Sequence, residues 1–315
     1  MAYSRIPAGA VVALCLFGGG CLTEGQEDDV EGPIGTSEEA VTSMNRLSLN
    51  RLSLSTLPMK ALSTAPLAPD GAHLAPTDLL ESADGRDLLT YIIKCALPAG
   101  QQLSGKNWNK TYTFSGLIGL APGWKGAPLQ PSGQRWVTAC LLAHTDGYDM
   151  QVPISLRGSA PGLATSLEEE QEYSVQEASF YGNLFTSGGN GDDLSIPIYA
   201  CAGSGVQSAC NVGGNGQYRP LRSCTPTGQC QLHVPGACYD ITPAKRDSCE
   251  SVIEGGYSEC HTTTAARPAT WGALAASYPE VVTVYLKPSD FDTFYGDCDT
   301  SCPQNRGGRG FGWHP

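Results

Sequence analysis

The chain is organised around the segment from Cys201 to Cys260, which reads CAGSGVQSACNVGGNGQYRPLRSCTPTGQCQLHVPGACYDITPAKRDSCESVIEGGYSEC. It holds seven of the chain's 13 cysteines, set among glycine, proline, serine and threonine rather than in continuous apolar runs. Because such a segment has little apolar surface to bury, covalent cross-links must hold it together. Structural zinc sites typically use C-x2-C pairs, and none of these cysteines has that spacing. We therefore predict a disulfide-stapled, loop-rich region over residues 201–260.

The composition of the whole chain predicts an exported globular protein. Its 315 residues are 41% hydrophobic, which is enough for a real core. Only 16% are charged, while glycine (38) and proline (22) are plentiful, as in loop-rich exported proteins. The net charge of -12 predicts repulsion from phosphate backbones and from anionic membrane surfaces. Nucleic acid is therefore not expected as a partner.

Residues 1–21 have the features of a targeting segment. Arg5 supplies a positive end, residues 6–17 are mostly apolar, and small residues precede Cys21. The segment resembles a bacterial lipoprotein signal, in which the cysteine is acylated, although Gly18 stands where those signals usually carry leucine. We expect lipidation at Cys21, and Leu22 favours an outer-membrane destination by resemblance to lipoprotein sorting rules. The alternative is an ordinary secretory signal and a secreted protein.

Four further regions follow the signal. Residues 22–44 are acidic and predict a disordered tether. Residues 45–75 carry leucines every five residues, a period of neither helix nor strand, and resemble little more than one coil of a pentapeptide-repeat solenoid. We predict an extended segment that lays these leucines on the main domain. Residues 76–300 form that domain, including the cysteine-rich region 201–260, and residues 301–315 form a flexible tail.

The hydrophobic pattern of residues 76–300 predicts an α+β fold, a largely antiparallel sheet covered by helices. Helices are predicted over 77–97, with Asp84 or Asp87 as a cap, over 135–144, with Ser132 as a cap, and over 270–278. Strands are predicted over 111–120, 151–157, 172–185, 196–202 and 281–286, the last returning to the same sheet. Cys95 and Cys140 lie on apolar helical faces, so we expect them to pair if the helices cross.

One loop has the pattern of a calcium site. Residues 188–194, GGNGDDL, resemble a nonapeptide of a calcium-binding β-roll, with Asp192 and Asp193 as candidate ligands. An ion in a β-roll is shared between successive turns, so a single copy cannot complete a site. We predict a plain hairpin loop here and no bound cofactor.

Other constellations have structural interpretations as well as chemical ones. Cys140 and His144 are four residues apart on a predicted helix, as a thiolate–imidazole pair requires, but they lie on its apolar face. Cys230, His233, Cys238 and the Cys260–His261 pair could bind zinc, yet export and the absent C-x2-C pairs favour disulfides. Glu168–Glu170 could serve as paired carboxylates, but we predict solvated surface. No G-x-S-x-G, H-E-x-x-H or P-loop motif occurs.

Five segments together resemble a known family. They are residues 91–100 (YIIKCALPAG), 136–140 (WVTAC), 154–158 (ISLRG), 180–185 (FYGNLF) and 199–201 (YAC). As a set, with the preceding leucine repeat, they are similar to exported, cysteine-rich myxobacterial lipoproteins of unknown function. The resemblance implies an exported bacterial protein and brings no activity with it.

Two classes of function remain open from the sequence. We favour a lipid-anchored cell-surface protein with a binding or structural role, attached to the membrane by its anchor and contacting an envelope or extracellular ligand. The missing catalytic motifs favour a protein that is not an enzyme. The alternative is an exported hydrolase whose site is assembled from distant residues.

The cysteine count generates a prediction. Cys15 leaves with the signal and Cys21 is acylated, so eleven of the 13 cysteines remain in the folded part. These disulfide candidates are Cys95, Cys140, Cys201, Cys210, Cys224, Cys230, Cys238, Cys249, Cys260, Cys298 and Cys302. Eleven is odd, so thiol labelling under denaturing, non-reducing conditions should find a single reactive thiol per mature chain. Labelling of most cysteines in exported, oxidised protein would contradict the disulfide interpretation.

Overall fold

A computed structural model describes residues 42–44, 47, 56–148, 150–186, 197–210, 221–224, 232–234, 236–238, 249, 252–253, 255–261 and 277–296. The described helices are α1 (Thr56–Ser63), α2 (Ala83–Ala96), α3 (Pro131–Ala143), α4 (Leu167–Glu172), α5 (Ser204–Cys210) and α6 (Pro288–Tyr295). The described strands are β1 (Thr42–Met44), β2 (Gln102–Asn107), β3 (Lys110–Ser115), β4 (Pro153–Arg157), β5 (Val175–Gly182), β6 (Ile198–Ala202), β7 (Val252–Ile253), β8 (Gly256–Tyr257), β9 (Cys260–His261), β10 (Ser277–Tyr278) and β11 (Val282–Leu286).

The fold is α+β, as the sequence predicts, and is organised around one antiparallel sheet. Its five strands lie in the order β1-β4-β11-β5-β6. The late strand β11 enters the middle of this sheet, between β4 and β5. This confirms the prediction that the apolar run near the C-terminal end returns to the sheet. The hairpins β2-β3, β7-β8 and β9-β10 form separate two-stranded sheets.

The two faces of the sheet differ in chemistry because side chains alternate along each strand. Leu156, Val284 and Ala178 are aligned across three strands and join a core formed with helices α2 and α3. Helix α3 packs directly on β5 and β11, while α2 packs against α3 and strand β3. This face therefore holds the main hydrophobic core.

The opposite face meets the cysteine-rich region. Tyr181 and Cys201, which alternate with the core residues of β5 and β6, belong to a second buried cluster. The other members of that cluster are Cys238, Cys249, Tyr257, Cys260, Tyr278 and Val281. Cysteines and tyrosines thus replace aliphatic side chains where the loop-rich region covers the sheet.

Three disulfides have both partners among the described residues. Cys95–Cys140 joins α2 to α3, which confirms the predicted pairing. Cys201–Cys238 and Cys249–Cys260 lie in the second cluster, where Cys201 Sγ is 3.4 Å from Cys249 Sγ. Cys224 is also disulfide-bonded. The side chains of Cys21, Cys210, Cys230, Cys298 and Cys302 lie outside the described residues.

Several predicted element boundaries are wrong for local physical reasons. Helix α2 is capped by Ser82, whose Oγ accepts from Gly85 N, and not by Asp84 or Asp87. Thr77 instead caps a short 3-10 turn that precedes the helix. Helix α3 begins at Pro131, without a side-chain cap from Ser132, since a proline in the first turn has no N–H to satisfy.

Other segments adopt a different structure from the predicted one. Thr56–Ser63 is helical rather than extended, because Met59 and Leu62 share one helical face and both are buried there. Ser277–Tyr278 pairs with Cys260–His261 as a strand, although the sequence predicted the end of a helix. Strand β2, rich in polar residues and glycine, was not predicted at all. No helix among the described residues has the length and apolar character needed to cross a bilayer.

Candidate functional site

The β2–β3 hairpin ends in a tight, exposed turn. Its strands pair from Gln102↔Ser115 to Asn107↔Lys110, which leaves Trp108 and Asn109 as a two-residue loop. Two-residue hairpin loops require a positive φ at the first loop position, and glycine, asparagine or aspartate normally occupies it. In this hairpin the position is taken by Trp108, with φ of 53°.

Trp108 is unusual both in its exposure and in its backbone conformation. Its side chain is 95% exposed, although indole is among the largest apolar groups in proteins. Among the described residues it is also the one non-glycine residue with a positive φ. A left-handed backbone costs an L-residue about 1–2 kcal/mol. Single exposed apolar side chains are ordinary, but strained and exposed residues concentrate at functional sites.

The hairpin is held firmly against the domain below this tip. The Leu80 carbonyl accepts hydrogen bonds from Asn107 Nδ2 at 3.0 Å and from Arg86 Nη1 at 3.1 Å. Leu103 and Phe114, paired across the strands, are buried in the main core. Gly105 lies so close to Leu80 that an added Cβ would come within 2.9 Å of the leucine side chain. The tip is therefore presented on a fixed base.

Basic side chains lie on both strands of the hairpin and at its base. The Tyr112 ring lies 4.6 Å from Arg86 Cζ and 5.1 Å from Lys110 Nζ, in cation–π contacts. Lys106 is exposed on the other strand, one residue before Asn107. The arrangement presents an indole between basic side chains, which suits binding better than catalysis.

A network of titratable side chains lies in the protein interior, away from the exposed hairpin tip. Arg222 and Glu177 form an ion pair of 3.0 Å in which both side chains are fully buried. Arg222 also donates to the carbonyls of Thr145 at 2.6 Å and Ala143 at 3.2 Å, at the C-terminal end of α3. Partial negative charge at a helix C-terminus favours this cation.

A β-bulge brings Glu177 to this pair. Tyr285 pairs with Gln176 and Val284 with Ala178, so Glu177 is the extra residue on β5. Tyr295 at the end of α6 donates its hydroxyl to Glu177 Oε1 at 2.9 Å and accepts from Arg222 N at 2.9 Å. Burial, followed by the nearby Glu177 charge, raises the pKa of Tyr295. These groups satisfy each other, as a structural network requires.

His144 is neutral and structural. It is fully buried as the C-cap of α3, and Nδ1 donates to the Cys140 carbonyl at 2.8 Å. Burial lowers the pKa of His144 to about 3, with smaller contributions from the charges of Lys94 and Arg222. Cys140 is oxidised in its disulfide, so the predicted Cys140–His144 pair has no thiolate with which to act.

A third group of polar residues lies on the sheet face opposite the main core. Arg157 stacks 3.7 Å from the centre of the Tyr285 ring and donates to the Tyr173 carbonyl at 2.6 Å. Glu169 is buried here, which makes the prediction of solvated surface for Glu168–Glu170 wrong at its central residue. Burial raises the pKa of Glu169, opposed by Ser155 and the Arg157 charge. The short helix α4, capped by Ser166, turns this carboxylate inward.

The remaining predicted candidates do not converge on one site. Cys238 and Cys260 belong to different disulfides, so neither sulfur is a thiolate that could bind zinc. His233 is exposed and rests 5.3 Å from the Tyr199 ring. Asp192, Asp193, Cys21 and Cys230 lie outside the described residues. A described cavity beside α1 is about 140 Å³, below the roughly 300 Å³ of typical ligand pockets.

The sequence did not single out Trp108. The predicted strand began at Thr111, so the turn was not recognised. The available signal was Asn107-Trp108-Asn109, since asparagine tolerates turn conformations and flanks the tryptophan on both sides.

The buried ion pair generates a prediction about stability. Glu177→Gln removes the countercharge of Arg222 without changing side-chain size, so the unfolding free energy should fall by about 3–5 kcal/mol. The control is Glu172→Gln, whose side chain is 57% exposed and pairs with Lys287 at 2.6 Å. That change should cost about 0–1 kcal/mol, since exposed pairs contribute little. Urea denaturation measures the unfolding free energy of both variants, and an equal loss in the two would contradict a larger contribution from the buried Arg222–Glu177 pair.

The buried histidine generates a second prediction. Because the folded pKa of His144 is about 3, the unfolded chain binds a proton between pH 6.5 and 3 that the folded chain does not. Stability therefore decreases as pH falls through this window, by about 1.4 kcal/mol per pH unit from this group. His144→Gln should reduce the slope of unfolding free energy against pH between pH 4 and 6 by that amount. The surface variant His73→Gln is the control, and an unchanged slope in His144→Gln would contradict the assignment.

Comparisons with protein-family models, with curated proteins and with solved structures found no match to this chain.

Proposed function

We propose that this chain is an exported, lipid-anchored cell-surface protein with a binding role, and that the tip of the β2–β3 hairpin is its binding element. The anchor is Cys21, which becomes the N-terminal residue once residues 1–20 are removed, and the outer membrane is the proposed destination. The family resemblance to exported myxobacterial lipoproteins is part of the same proposal.

The observation that carries the binding role is Trp108. The residue lowers stability through its positive φ and gains none from burial of its 95% exposed indole, on a hairpin that is otherwise well packed. Tryptophan is also the residue type most enriched at the energetic centres of interfaces. Because the hairpin backbone is already fixed, binding at Trp108 orders only its side chain, which limits the entropic cost.

The disulfides support export. Cys95–Cys140, Cys201–Cys238 and Cys249–Cys260 are all buried, and such bridges persist in oxidising compartments outside the cytosol. Cys201–Cys238 and Cys249–Cys260 hold the loops of the cysteine-rich region in place, where only the smaller second cluster lies beneath them.

No observation in the described part of the chain favours the hydrolase alternative. Three titratable groups are fully buried and closed to a substrate: Glu177, Arg222 and His144. Arg222 donates to Glu177, and His144 donates to the Cys140 carbonyl. Glu169 and Arg157 are buried on the other face of the sheet. Glu169, whose buried carboxylate oxygens have no hydrogen-bond partner among the described residues, is therefore separated from His144 and closed to a substrate, so the groups do not form an acid–base site.

The binding role predicts protection of Trp108 in the cell envelope. Cells carrying the natural protein are treated with a tryptophan oxidant, and oxidation is read by peptide mass spectrometry against detergent-solubilised protein. Trp108 should react several-fold more slowly in the envelope, while Trp124, which is 2% exposed, serves as the internal reference.

The same measurement on Cys21→Ser tests the anchor. That variant should leave the membrane fraction, and its Trp108 should react at the rate of the solubilised protein. Equal oxidation of Trp108 in the envelope and in detergent would overturn the binding role of the hairpin.

A further inference from the structure

The charge of the chain is distributed unevenly around the hairpin. The whole protein has a net charge of -12, yet residues 88–145 contain no aspartate or glutamate. This 58-residue segment carries five basic residues, Lys94, Lys106, Lys110, Lys125 and Arg135. The hairpin therefore lies in a segment of positive net charge, whereas the whole chain has a negative net charge.

The register places cations on both sides of the tip. Lys106 pairs with Thr111, whereas Lys110 pairs with Asn107, one position along the ladder. Because side chains alternate between faces of a hairpin, Lys106 and Lys110 lie on opposite faces, with Trp108 between them at the turn. All three side chains are exposed. Four acidic residues, Asp78, Glu81, Asp84 and Asp87, lie on the 3-10 turn and the start of α2, which hold the base of the hairpin, and none lies on the hairpin itself.

This combination matches the chemistry of a lipid headgroup layer. Indole is enriched at the membrane–water interface, where its ring is buried and its N–H stays hydrated. Lysines beside an anionic surface bind lipid phosphates, and two of them strengthen attachment roughly 30-fold. A protein interface would more often pair a central tryptophan with an apolar surround, which the tip lacks.

We propose that the β2–β3 tip docks on an anionic lipid surface, with Trp108 entering the headgroup region and Lys106 and Lys110 binding lipid phosphates. The inference rests on the proposed function and names the partner of the same hairpin. The net charge of the whole chain predicts repulsion from such a surface, but screening confines electrostatic contacts to about 8–10 Å at physiological salt. Local charge at the tip therefore decides the contact.

Docking at the tip would fix the orientation of an anchored domain. A lipid at Cys21 keeps the domain near the membrane, so the second contact forms at a high effective concentration and need not be strong alone. The fixed base of the hairpin, through Asn107 and Arg86 on the Leu80 carbonyl, then transmits the orientation to the whole domain.

The test uses the full exported protein mixed with preformed vesicles. One set is phosphatidylcholine, and the other contains phosphatidylglycerol. Trp108 oxidation, normalised to Trp124, should be several-fold slower with phosphatidylglycerol vesicles than with phosphatidylcholine vesicles, and 1 M salt should abolish the difference because the Debye length falls to about 3 Å.

Two variants separate docking from folding. Lys106→Gln/Lys110→Gln should react equally with both vesicles. Trp108→Asn should lose the preference for binding phosphatidylglycerol vesicles in flotation while its melting temperature stays equal or rises, because asparagine tolerates the positive φ.

Equal oxidation of wild-type Trp108 with both vesicle types would overturn lipid docking. If Trp108 is nevertheless protected in the native envelope, the partner is a protein or a polysaccharide, and the proposed binding role stands. If it is protected in neither, both proposals fall.

Discussion

The buried pair of Arg222 and Glu177 is the contact on which the arrangement of the described domain depends. Arg222 comes from the cysteine-rich region, Glu177 from the central sheet, and Tyr295 from the last described helix, while the carbonyls of Ala143 and Thr145 close the network at the end of α3. Burying two charges is expensive and is repaid when every donor and acceptor finds a partner. The pair therefore specifies one relative placement of these segments, since any other leaves a charge unpaired.

The two faces of the sheet are stabilised by different interactions. Aliphatic side chains on one face bury area against α3, and the hydrophobic effect suffices there. The other face carries Tyr181 stacked on Tyr199 at 5.3 Å, beside the disulfides of Cys201 and Cys249. Tyrosine is neutral near pH 7, and burial raises the pKa of Tyr199 further, to about 12, so no charge has to be buried in this cluster. Covalent bonds replace the missing core under the loop-rich region.

A domain fixed in this way can tolerate a costly surface feature. The Trp108 tip gives up stability in its left-handed backbone and gains none from its exposed indole, and the hydrogen bonds to the Leu80 carbonyl keep the hairpin in place despite that cost. Natural proteins retain such losses where activity requires them. Arg222, Glu177 and Tyr295 show the opposite behaviour, because their polar groups are hydrogen-bonded to one another within the fold. The surface hairpin, rather than the interior, is thus the part of this molecule suited to meeting a partner.

The fold class, the strand at Val282–Leu286 that returns to the sheet, and the apolar helical faces that carry Cys95 and Cys140 could be predicted from the sequence, because local periodicity fixes which side chains face a core. The pairing of these two cysteines also required that their helices cross, which the sequence left open. The tertiary structure alone decided the bulge at Glu177, the burial of Glu169, the helix at Thr56–Ser63 and the exposure of Trp108. These depend on residues far apart in the chain: Arg222 lies 45 residues from Glu177, and Asn107 lies 27 residues from Leu80. A local pattern cannot encode such contacts, because their free energy arises when distant segments exclude water together.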